Sequence, residues 1–371
     1  MTDIYDRFGV KTVINAAGKL TALGGTAQHE EVAQAQAEAA QSHVDLAELR
    51  TRAGELIAEW TGAEAASVTT GAAAGITIST AAVVAGRDAE KVARLPDSEG
   101  WTNRVLIQAG HWVDFGAPVE QLIRLGGGRP EMIGAVNNVP ELLLEGALYD
   151  GTPIAALMYV QSHHSVQERM VSLERCLELA HGVGVPVIVD AAAEEDLRRY
   201  IALGCDLVTY SGGKAFGGPT AGFIAGRRDL IEACEAQLRG IARPMKVGKE
   251  QIAGLLVALE RYEAQDEAAE LERRRKINDI VCEPLEKPRS VDAWIEPDEQ
   301  GRPIERVAIR AVDGAFKVSE LIKFLGAGRQ SIRTRNHHLD QGVILIDPRE
   351  LTEEQAKTIA ARLRGFFMGR P

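Results

Sequence analysis

The chain has 371 residues, which suggests two domains, and its 45% hydrophobic and 26% charged residues are ordinary for a soluble globular protein. The formal net charge of −11 and the 5% aromatic content disfavour nucleic acid and anionic membranes as partners. Four scattered cysteines without a C-x-x-C pair, no secretory signal and no apolar run of roughly 20 residues predict a cytoplasmic protein.

Helix and strand patterns alternate through the first two thirds of the chain. Residues 30–60, rich in Ala, Glu and Gln, predict a helix that is broken near Gly54 or around His43. Further helices are predicted at residues 72–85, 172–181, 228–239 and 249–275, and strands at residues 66–70, 104–108, 121–125, 153–160, 185–189, 205–210 and 220–225. Because the runs at 153–160 and 185–189 are almost wholly apolar, they suit strands covered on both faces. This alternation predicts an α/β domain with a mostly parallel sheet.

The pattern changes in the last quarter of the chain. Predicted strands at residues 307–310, 331–335 and 343–347 alternate there with predicted helices at 318–325 and 352–367. This mixture is typical of a small α+β domain. We therefore expect a large domain over residues 1–260, including the N-terminal segment, and a small domain over residues 261–371.

Two predicted strands are each followed by a residue that can do chemistry. Asp190 ends the buried run that starts at Val185, and ligands of open α/β sheets bind off the carboxyl ends of strands. Lys214 follows the next strand in a glycine-rich turn, where glycines let the backbone approach a ligand closely. Each residue alone is more often an ordinary turn or cap residue, but on neighbouring strands the two form a candidate pair.

Chemistry with pyridoxal 5′-phosphate (PLP) needs such a pair. The amine of Lys214 would carry the cofactor as a Schiff base, and the carboxylate of Asp190 would keep the pyridine nitrogen protonated. The protonated ring withdraws electrons from a carbanion at the substrate Cα, and the released lysine can move the proton at that carbon. The sequence thus predicts PLP as the cofactor and Lys214 as the catalytic residue.

A small-residue turn upstream of this pair is a candidate phosphate site. Gly71, Ala72 and Ala73 follow a predicted strand and open a helix. Backbone N–H groups at a helix N-terminus, together with the helix dipole, bind anions. We expect this turn to hold the phosphate group of PLP, with a hydroxyl added by Ser211.

Two further polar residues follow predicted strands. His111 could stack on the pyridine ring, and Gln161 could bond the oxygen on that ring. The neighbouring His163 and His164 raise the alternative of a metal site. No carboxylate completes a ligand spacing with them, so no metal is expected.

Five stretches of the chain resemble the selenocysteine-synthase-like family of PLP enzymes. They are Val13–Gly18, Thr69–Gly75, Val189–Glu194, Ser211–Lys214 and Arg243–Lys249. The resemblance covers nearly the whole chain and is closer to the D-glucosaminate-6-phosphate ammonia-lyase group than to selenocysteine synthase itself. It implies the aspartate-aminotransferase-like architecture of fold type I, with a large seven-stranded domain and a small C-terminal one.

The resemblance also implies a homodimer or higher oligomer, since sites of this family form between subunits. The Arg243–Lys249 stretch would then reach a neighbour's cofactor phosphate or substrate, unless it is simply a solvated helix start. Related enzymes hold the substrate carboxylate with an arginine at the place of Arg335 or Arg333, of which we favour Arg335. The two are spaced by two on a predicted strand and should face the same way. Asn15, in the first matching stretch, is expected to contact substrate as well.

The leading hypothesis is a lyase that acts on a β-hydroxy amino acid or a 2-amino sugar acid. It would eliminate water and release ammonia, leaving a 2-oxo acid. The same Lys214 and Asp190 would equally serve an aldolase or a racemase, because PLP chemistry depends on which Cα bond is broken. A third possibility, a non-catalytic scaffold with this fold, is disfavoured by the intact lysine, aspartate and phosphate turn. A tRNA-linked substrate does not suit the acidic chain.

Overall fold

The computed structural model describes residues 4–162, 165–298, 302–328 and 330–368. Its strands are β1 (Val13–Ala16), β2 (Ala65–Thr69), β3 (Arg104–Gln108), β4 (Arg129–Ile133), β5 (Ala156–Val160), β6 (Val187–Asp190), β7 (Leu207–Ser211), β8 (Gly222–Gly226), β9 (Val291–Pro297), β10 (Glu305–Ala311), β11 (Ser331–Thr334) and β12 (Val343–Ile346). Its α-helices are α1 (Ile4–Arg7), α2 (Glu30–Ala40), α3 (Leu46–Thr61), α4 (Ala72–Ala85), α5 (Ala89–Arg94), α6 (Val119–Leu125), α7 (Glu141–Leu148), α8 (Leu173–Gly182), α9 (Arg199–Ala202), α10 (Arg228–Ala236), α11 (Lys249–Glu263), α12 (Glu267–Cys282), α13 (Val318–Gly326) and α14 (Glu353–Phe367). No α-helix in this described part of the chain is both long and apolar enough to cross a membrane.

The chain folds into two compact units. The larger unit runs from Gln28 to Glu263, and the smaller joins the described residues up to Ala27 with those from Ala264 onward. The sequence placed the N-terminal segment with the large domain, but β1 pairs in parallel with β11 and so packs in the smaller unit. The chain passes from the smaller unit to the larger after Ala27 and returns after Glu263. The second of these positions lies near residue 260, where the sequence analysis set the domain boundary.

The larger unit is built on a sheet of seven strands in the order β2-β8-β7-β6-β5-β3-β4. All neighbouring strands are parallel except β8, which runs antiparallel to both β2 and β7. One face packs against α3, α7, α8 and α11, and the other against α4, α6 and α10. This confirms the predicted mostly parallel sheet, and burial on both faces accounts for the apolar runs of β5 and β6.

One predicted strand is a helix. Residues 121–125 lie in α6, where Val119, Leu122 and Ile123 are buried at helical spacing. The prediction of a strand there was wrong because α6 is the crossover that joins β3 to its parallel neighbour β4, a connection that a hairpin turn cannot make. Strand β4 itself was not predicted, since its alternation is weak and much of it is exposed.

Two predicted long helices are interrupted. The 30–60 pattern breaks between α2 and α3, around His43, where Asp45 accepts hydrogen bonds from the first N–H groups of α3. Gly54 lies inside α3, where a Cβ would meet the Ala66 carbonyl oxygen at 2.4 Å. The 249–275 pattern divides into α11 and α12, because Asp266 caps the start of α12.

The smaller unit contains an antiparallel sheet in the order β12-β10-β9 and the parallel pair β1-β11. Helices α12, α13 and α14 cover a core that includes Phe316, Phe366 and Phe367. This confirms the predicted α+β character, although β1 and β9 were not predicted. β1 holds four residues and gains its partner from the far end of the sequence.

Candidate active site

The carboxyl ends of three parallel strands bring several predicted site residues to one edge of the large sheet. Asp190 at the end of β6 is in register with Val160 of β5 and Thr209 of β7. The backbone N–H of Gln161 donates to the Asp190 carbonyl oxygen over 2.9 Å, and Ser211 ends β7. The predicted grouping of Asp190, Gln161 and Ser211 is therefore a direct result of the strand pairing.

Asp190 is buried with little to stabilise a negative charge. Its side chain is 2% exposed, and Oδ1 accepts hydrogen bonds from the Ala192 N–H over 3.1 Å and the Thr209 hydroxyl over 3.5 Å. Burial raises the pKa of this carboxyl to about 6, against the opposing influence of the nearby Lys214 charge and of those hydrogen bonds. A cationic group placed against Asp190 would stabilise its ionised form and lower this pKa.

Lys214 lies in a closed loop between β7 and β8. The Gly212 N–H donates to the Ala221 carbonyl over 2.7 Å, and the Gly218 N–H donates to the Gly212 carbonyl over 2.8 Å. A Cβ at Gly212 would come within 2.6 Å of Leu255, so the loop packs directly on α11. The partly buried lysine thus follows a backbone that is fixed at both ends.

The predicted phosphate turn begins α4 and lies beside β8. Gly71 has a φ of +142° and open space where a Cβ would be, while a Cβ at Gly222 would come within 2.8 Å of the Gly71 Cα. No side chain caps α4 and its first turn holds no acidic residue. The N–H groups of Ala72 and Ala73 have no partner within an α-helix and can receive an anion.

His111 is enclosed by the protein. Its ring is fully buried and meets Tyr159 edge-on, with 4.3 Å between ring centroids and 74° between planes. Nδ1 accepts a hydrogen bond from the Val160 N–H over 3.4 Å, and Nε2 has no hydrogen-bond partner among the described residues. Burial lowers the pKa of His111 to about 4, so the imidazole is neutral near pH 7. Ring stacking by His111 stays a prediction, and it would require part of this enclosure to open.

The alternative of a metal site rests on two neighbouring histidines. His163 and His164 lie outside the described residues. Among the residues that are described, no group of three or more His, Cys, Asp or Glu side chains could hold a metal ion.

The three predicted substrate residues lie in the smaller unit. Arg333 is exposed on β11, whereas Arg335 is partly buried beyond the end of that strand, where it pairs with Leu345. The two arginines, which the sequence places on one strand face, therefore differ in exposure, and Arg335 lies just beyond the strand. Asn15 shapes its own loop, because Nδ2 donates to the Gly18 carbonyl over 2.9 Å and Oδ1 accepts from the Ala17 N–H over 3.0 Å.

Sequence reasoning missed two features of these sites. One is Thr209, whose hydroxyl faces Asp190 from the neighbouring strand. The other is Asp347, which is wholly buried directly after β12 and pairs with Arg306 and Arg349. An aspartate at the end of an apolar strand was the signal that identified Asp190, and the same signal at Asp347 would have found the second site.

The residues of the larger unit fit PLP. Asp190 is a buried carboxyl whose raised pKa makes it a partner for a protonated ring nitrogen, and Lys214 supplies an amine close to it. The turn at Gly71 offers open space and uncapped N–H groups for the phosphate. The buried Nε2 of His111 is a further donor or acceptor without a partner among the residues that the structure describes.

Residues 154–281 match the family model described as L-seryl-tRNA selenium transferase. The chain is 44% identical to D-glucosaminate-6-phosphate ammonia lyase of Salmonella typhimurium over 367 residues, which cover 98% of this chain and 97% of that protein. It is also 43% identical to 5′-C-glycyluridine monooxygenase-decarboxylase of a Streptomyces species over 372 residues, covering 98% of this chain and 92% of that one.

A solved structure of D-glucosaminate-6-phosphate ammonia-lyase matches this chain over the full length of both, with a TM-score of 0.91 and 42% identity. Solved aminotransferases share the fold at much lower identity. The predicted fold class, a PLP-dependent enzyme of fold type I, is therefore confirmed.

Proposed function

This chain belongs to the PLP-dependent family that contains D-glucosaminate-6-phosphate ammonia lyase and L-seryl-tRNA(Sec) selenium transferase, and on that premise we propose that it is an ammonia-lyase. Its substrate is a small 2-amino-3-hydroxy acid. The first candidate of this class is a 2-amino sugar acid that carries a phosphate. The products are ammonia and a 2-oxo-3-deoxy acid. The relative from Salmonella supports this substrate class through its name and its identity over nearly the full length.

The observation that carries the proposal is the pairing of Asp190 with Lys214. The buried carboxyl ends β6, the lysine follows the neighbouring parallel strand β7, and the positive charge of Lys214 acts to lower the pKa of Asp190. When bound there, PLP supplies an electron sink for the negative charge that develops at the substrate Cα. Asp190 holds the proton on the ring nitrogen that this sink requires.

The remaining residues of the larger unit bind and orient the cofactor. The N–H groups of Ala72 and Ala73 at the start of α4 bind the phosphate, beside the side-chain-free Gly71, and Ser211 adds a hydroxyl. Gln161 bonds the ring oxygen.

His111 is the residue proposed to lie against the cofactor's ring. Its neutral imidazole would add no positive charge to compete with the ring nitrogen for Asp190. This follows from the full burial of the side chain, which disfavours the charged form.

Lys214 also moves the reacting proton. The side-chain amine of Lys214, when it is free, would take the proton from the substrate Cα. The β-hydroxyl then leaves as water, and a second water replaces the nitrogen, so that the net reaction releases one ammonia. Arg335 receives the substrate's anionic group, with Arg333 and Asn15 as the further candidates, since a guanidinium binds a carboxylate with two parallel hydrogen bonds.

The test is to feed the PLP-loaded enzyme with D-glucosaminate 6-phosphate, its unphosphorylated form and simple β-hydroxy amino acids. We expect ammonia and a 2-oxo acid in equal amounts from at least one of them. Release of neither product from any of these substrates would refute the lyase proposal.

A second candidate function is an oxygen-dependent decarboxylation. It is favoured by the 43% identity to the Streptomyces protein, whose name describes such a reaction of a glycyl group. Consumption of oxygen with release of carbon dioxide, followed in the same assays, would identify it. Glycine with an aldehyde would instead indicate aldol cleavage, and exchange of the Cα hydrogen with solvent deuterium without net product would indicate racemisation.

Cofactor binding separates all of these enzymes from a non-catalytic scaffold. PLP-loaded protein should show an absorbance band near the visible edge that is lost in Lys214→Ala. Turnover should fall at the same time by more than about 10²-fold, the usual contribution of a positioned acid–base group. Lys91→Ala is a matched control. Lys91 lies on α5, over the ring of Trp101, and this variant should keep the absorbance band.

We also propose that the active form is a homodimer or larger homo-oligomer. The apolar side chains of Ile4, Tyr5, Phe8 and Val10 are each more than half exposed in the single chain, which supports a partner for the N-terminal segment. Light scattering on the purified protein should give a mass of at least twice 40.0 kDa.

A further inference from the structure

The smaller unit holds a group of arginines and buried aspartates that we name the arginine cluster. Its members are Asp298, Arg302, Arg306, Arg335, Asp347 and Arg349. Asp298 pairs with Arg302 over 2.8 Å and with Arg306 over 3.0 Å. Asp347 pairs with Arg306 over 2.9 Å and with Arg349 over 2.8 Å. Two carboxylates thus face four guanidinium groups, and the cluster carries a surplus of positive charge.

Asp347 is fixed from several sides. Its side chain is fully buried, and its backbone N–H donates to the Ala16 carbonyl over 2.9 Å. Gly18 packs on it so closely that a Cβ there would come within 2.8 Å of Asp347 Oδ2. Burial alone would raise the pKa of Asp347, but the charges and hydrogen bonds of Arg349 and Arg306 hold it well below its usual range. The carboxylate is therefore ionised and committed to these two arginines.

Arg335 differs from the other arginines of the cluster. Its Nε is buried and has no hydrogen-bond partner among the described residues. Burial and the neighbouring Arg306 lower the pKa of its guanidinium, whereas Asp347 acts in the opposite direction. A buried guanidinium donor without an acceptor is costly unless a ligand supplies the acceptor.

We propose that Asp347 is a positioning residue: by binding Arg306 and Arg349, it leaves Arg335 as the arginine of the cluster that receives the substrate's anionic group. This inference rests on the proposed function. If Asp347 were neutral, less negative charge would balance Arg306 and Arg349, and their positive charge would draw the anion toward them. The anion would then bind more strongly but in the wrong place, and a displacement of about 1 Å can cost roughly 10²-fold in rate.

The test compares Asp347→Asn with wild type as PLP-loaded enzyme, with turnover expressed per bound cofactor. We expect kcat to fall at least tenfold while inhibition by acetate or inorganic phosphate becomes at least threefold stronger. Acetate mimics a carboxylate, and inorganic phosphate mimics a phosphate ester. The anion whose inhibition becomes stronger in Asp347→Asn therefore identifies the substrate group that Arg335 binds. Unchanged kcat, or inhibition no stronger than in wild type, would overturn the proposal.

Two further variants exclude a merely structural effect. Asp206→Asn removes a buried carboxylate that pairs with Arg227 outside the cluster, and we expect a lower unfolding temperature with kcat and anion inhibition within twofold of wild type. Arg349→Gln releases Asp347 from one of its partners, so that the carboxylate can neutralise Arg335. Anion inhibition should then weaken at least threefold, opposite in sign to Asp347→Asn, and inhibition at the wild-type level would again contradict the proposal. This variant also serves if Asp347→Asn does not fold.

Failure of the lyase proposal would be recognised separately. If no β-hydroxy amino acid yields ammonia, calorimetric titration of the same proteins with acetate and phosphate still measures anion binding. Stronger binding in Asp347→Asn and weaker binding in Arg349→Gln and Arg335→Lys would uphold the role of Asp347. Equal binding in all four proteins would exclude it.

Discussion

Two wholly buried aspartates, one in each unit, follow the same sequence pattern and meet opposite electrostatic surroundings. Asp190 ends β6 and Asp347 follows β12, each after an uninterrupted apolar strand. Asp190 is bonded to a backbone N–H and a hydroxyl, and its pKa is raised to about 6. Asp347 is paired with two arginines, and its pKa is held well below the usual range.

The two surroundings distinguish a buried carboxyl suited to binding a ligand from one that stabilises the protein itself. A charge that the fold has already paired stabilises its surroundings, and its loss leaves arginines buried without a partner. A carboxyl that is buried without an ion pair destabilises the empty protein and gains most from a ligand that brings a positive charge. This criterion supports the proposals that Asp190 belongs to a cofactor site and that Asp347 positions its neighbours.

The largest effect expected from this contrast is on the stability of the cofactor-free protein at pH 7. Asp347→Asn should lower the free energy of unfolding by about 3–5 kcal/mol, as usual when one partner of a buried ion pair is removed. Asp190→Asn should leave it unchanged or raise it, since the amide removes a poorly paired buried charge. Chemical denaturation of both variants measures this. A loss of similar size in both would mean that the two aspartates do not differ in kind.

The pH dependence of stability sharpens the same comparison. The folded pKa of Asp190 lies above the unfolded value, so its contribution is fully present below about pH 4 and is lost as the pH rises through 6. Relative to Asp190→Asn, cofactor-free wild type should lose about 3 kcal/mol over this window, from a shift of roughly two pKa units. Asp347 has a lowered pKa, so its contribution should stay level from pH 4 upward and fall only in stronger acid. A flat difference between wild type and Asp190→Asn would contradict the raised pKa.

The smallest expected effect concerns Thr209. Thr209→Val keeps the shape that packs against Gly75 but removes the hydroxyl that lies 3.5 Å from Asp190. Because this bond is long, stability should change by less than about 1 kcal/mol, and the pKa of Asp190 should rise slightly further. The pH titration of the previous experiment measures the shift. Thr77→Val, which removes a buried hydroxyl bonded to the Leu122 carbonyl, should leave the pKa of Asp190 unchanged.

The grouping of candidate residues in the larger unit was predictable because the strands that carry them are neighbours in one sheet. Asp190, Ser211 and Gln161 each follow a strand of one parallel sheet, and parallel strands place their carboxyl ends at a common edge. The wrong strand at 121–125 shows the limit of this reasoning, since a five-residue apolar pattern fits a short crossover helix as well as a strand.

The smaller unit was less predictable because its contacts join distant parts of the chain. β1 pairs with β11 across more than 300 residues, and Gly18 packs against Asp347 over a similar separation. The spacing of apolar residues within a short segment does not predict such long-range pairings. The contrast between Arg333 and Arg335 also involves a separate strand, since Arg335 lies beyond β11 and pairs with Leu345 of β12.

The single reversed strand of the large sheet has a consequence for the order of events during assembly. Because β7 and β8 run antiparallel, the Lys214 loop returns directly to a neighbouring strand and needs no crossover helix. Its ends are tied by the Gly212–Ala221 hydrogen bond, so the entropy of closing the loop is lost when the sheet forms and not when the cofactor arrives. The lysine is thus prepared in advance, and amide hydrogen exchange at Gly212 and Gly218 should be slow before PLP is added and change little afterwards.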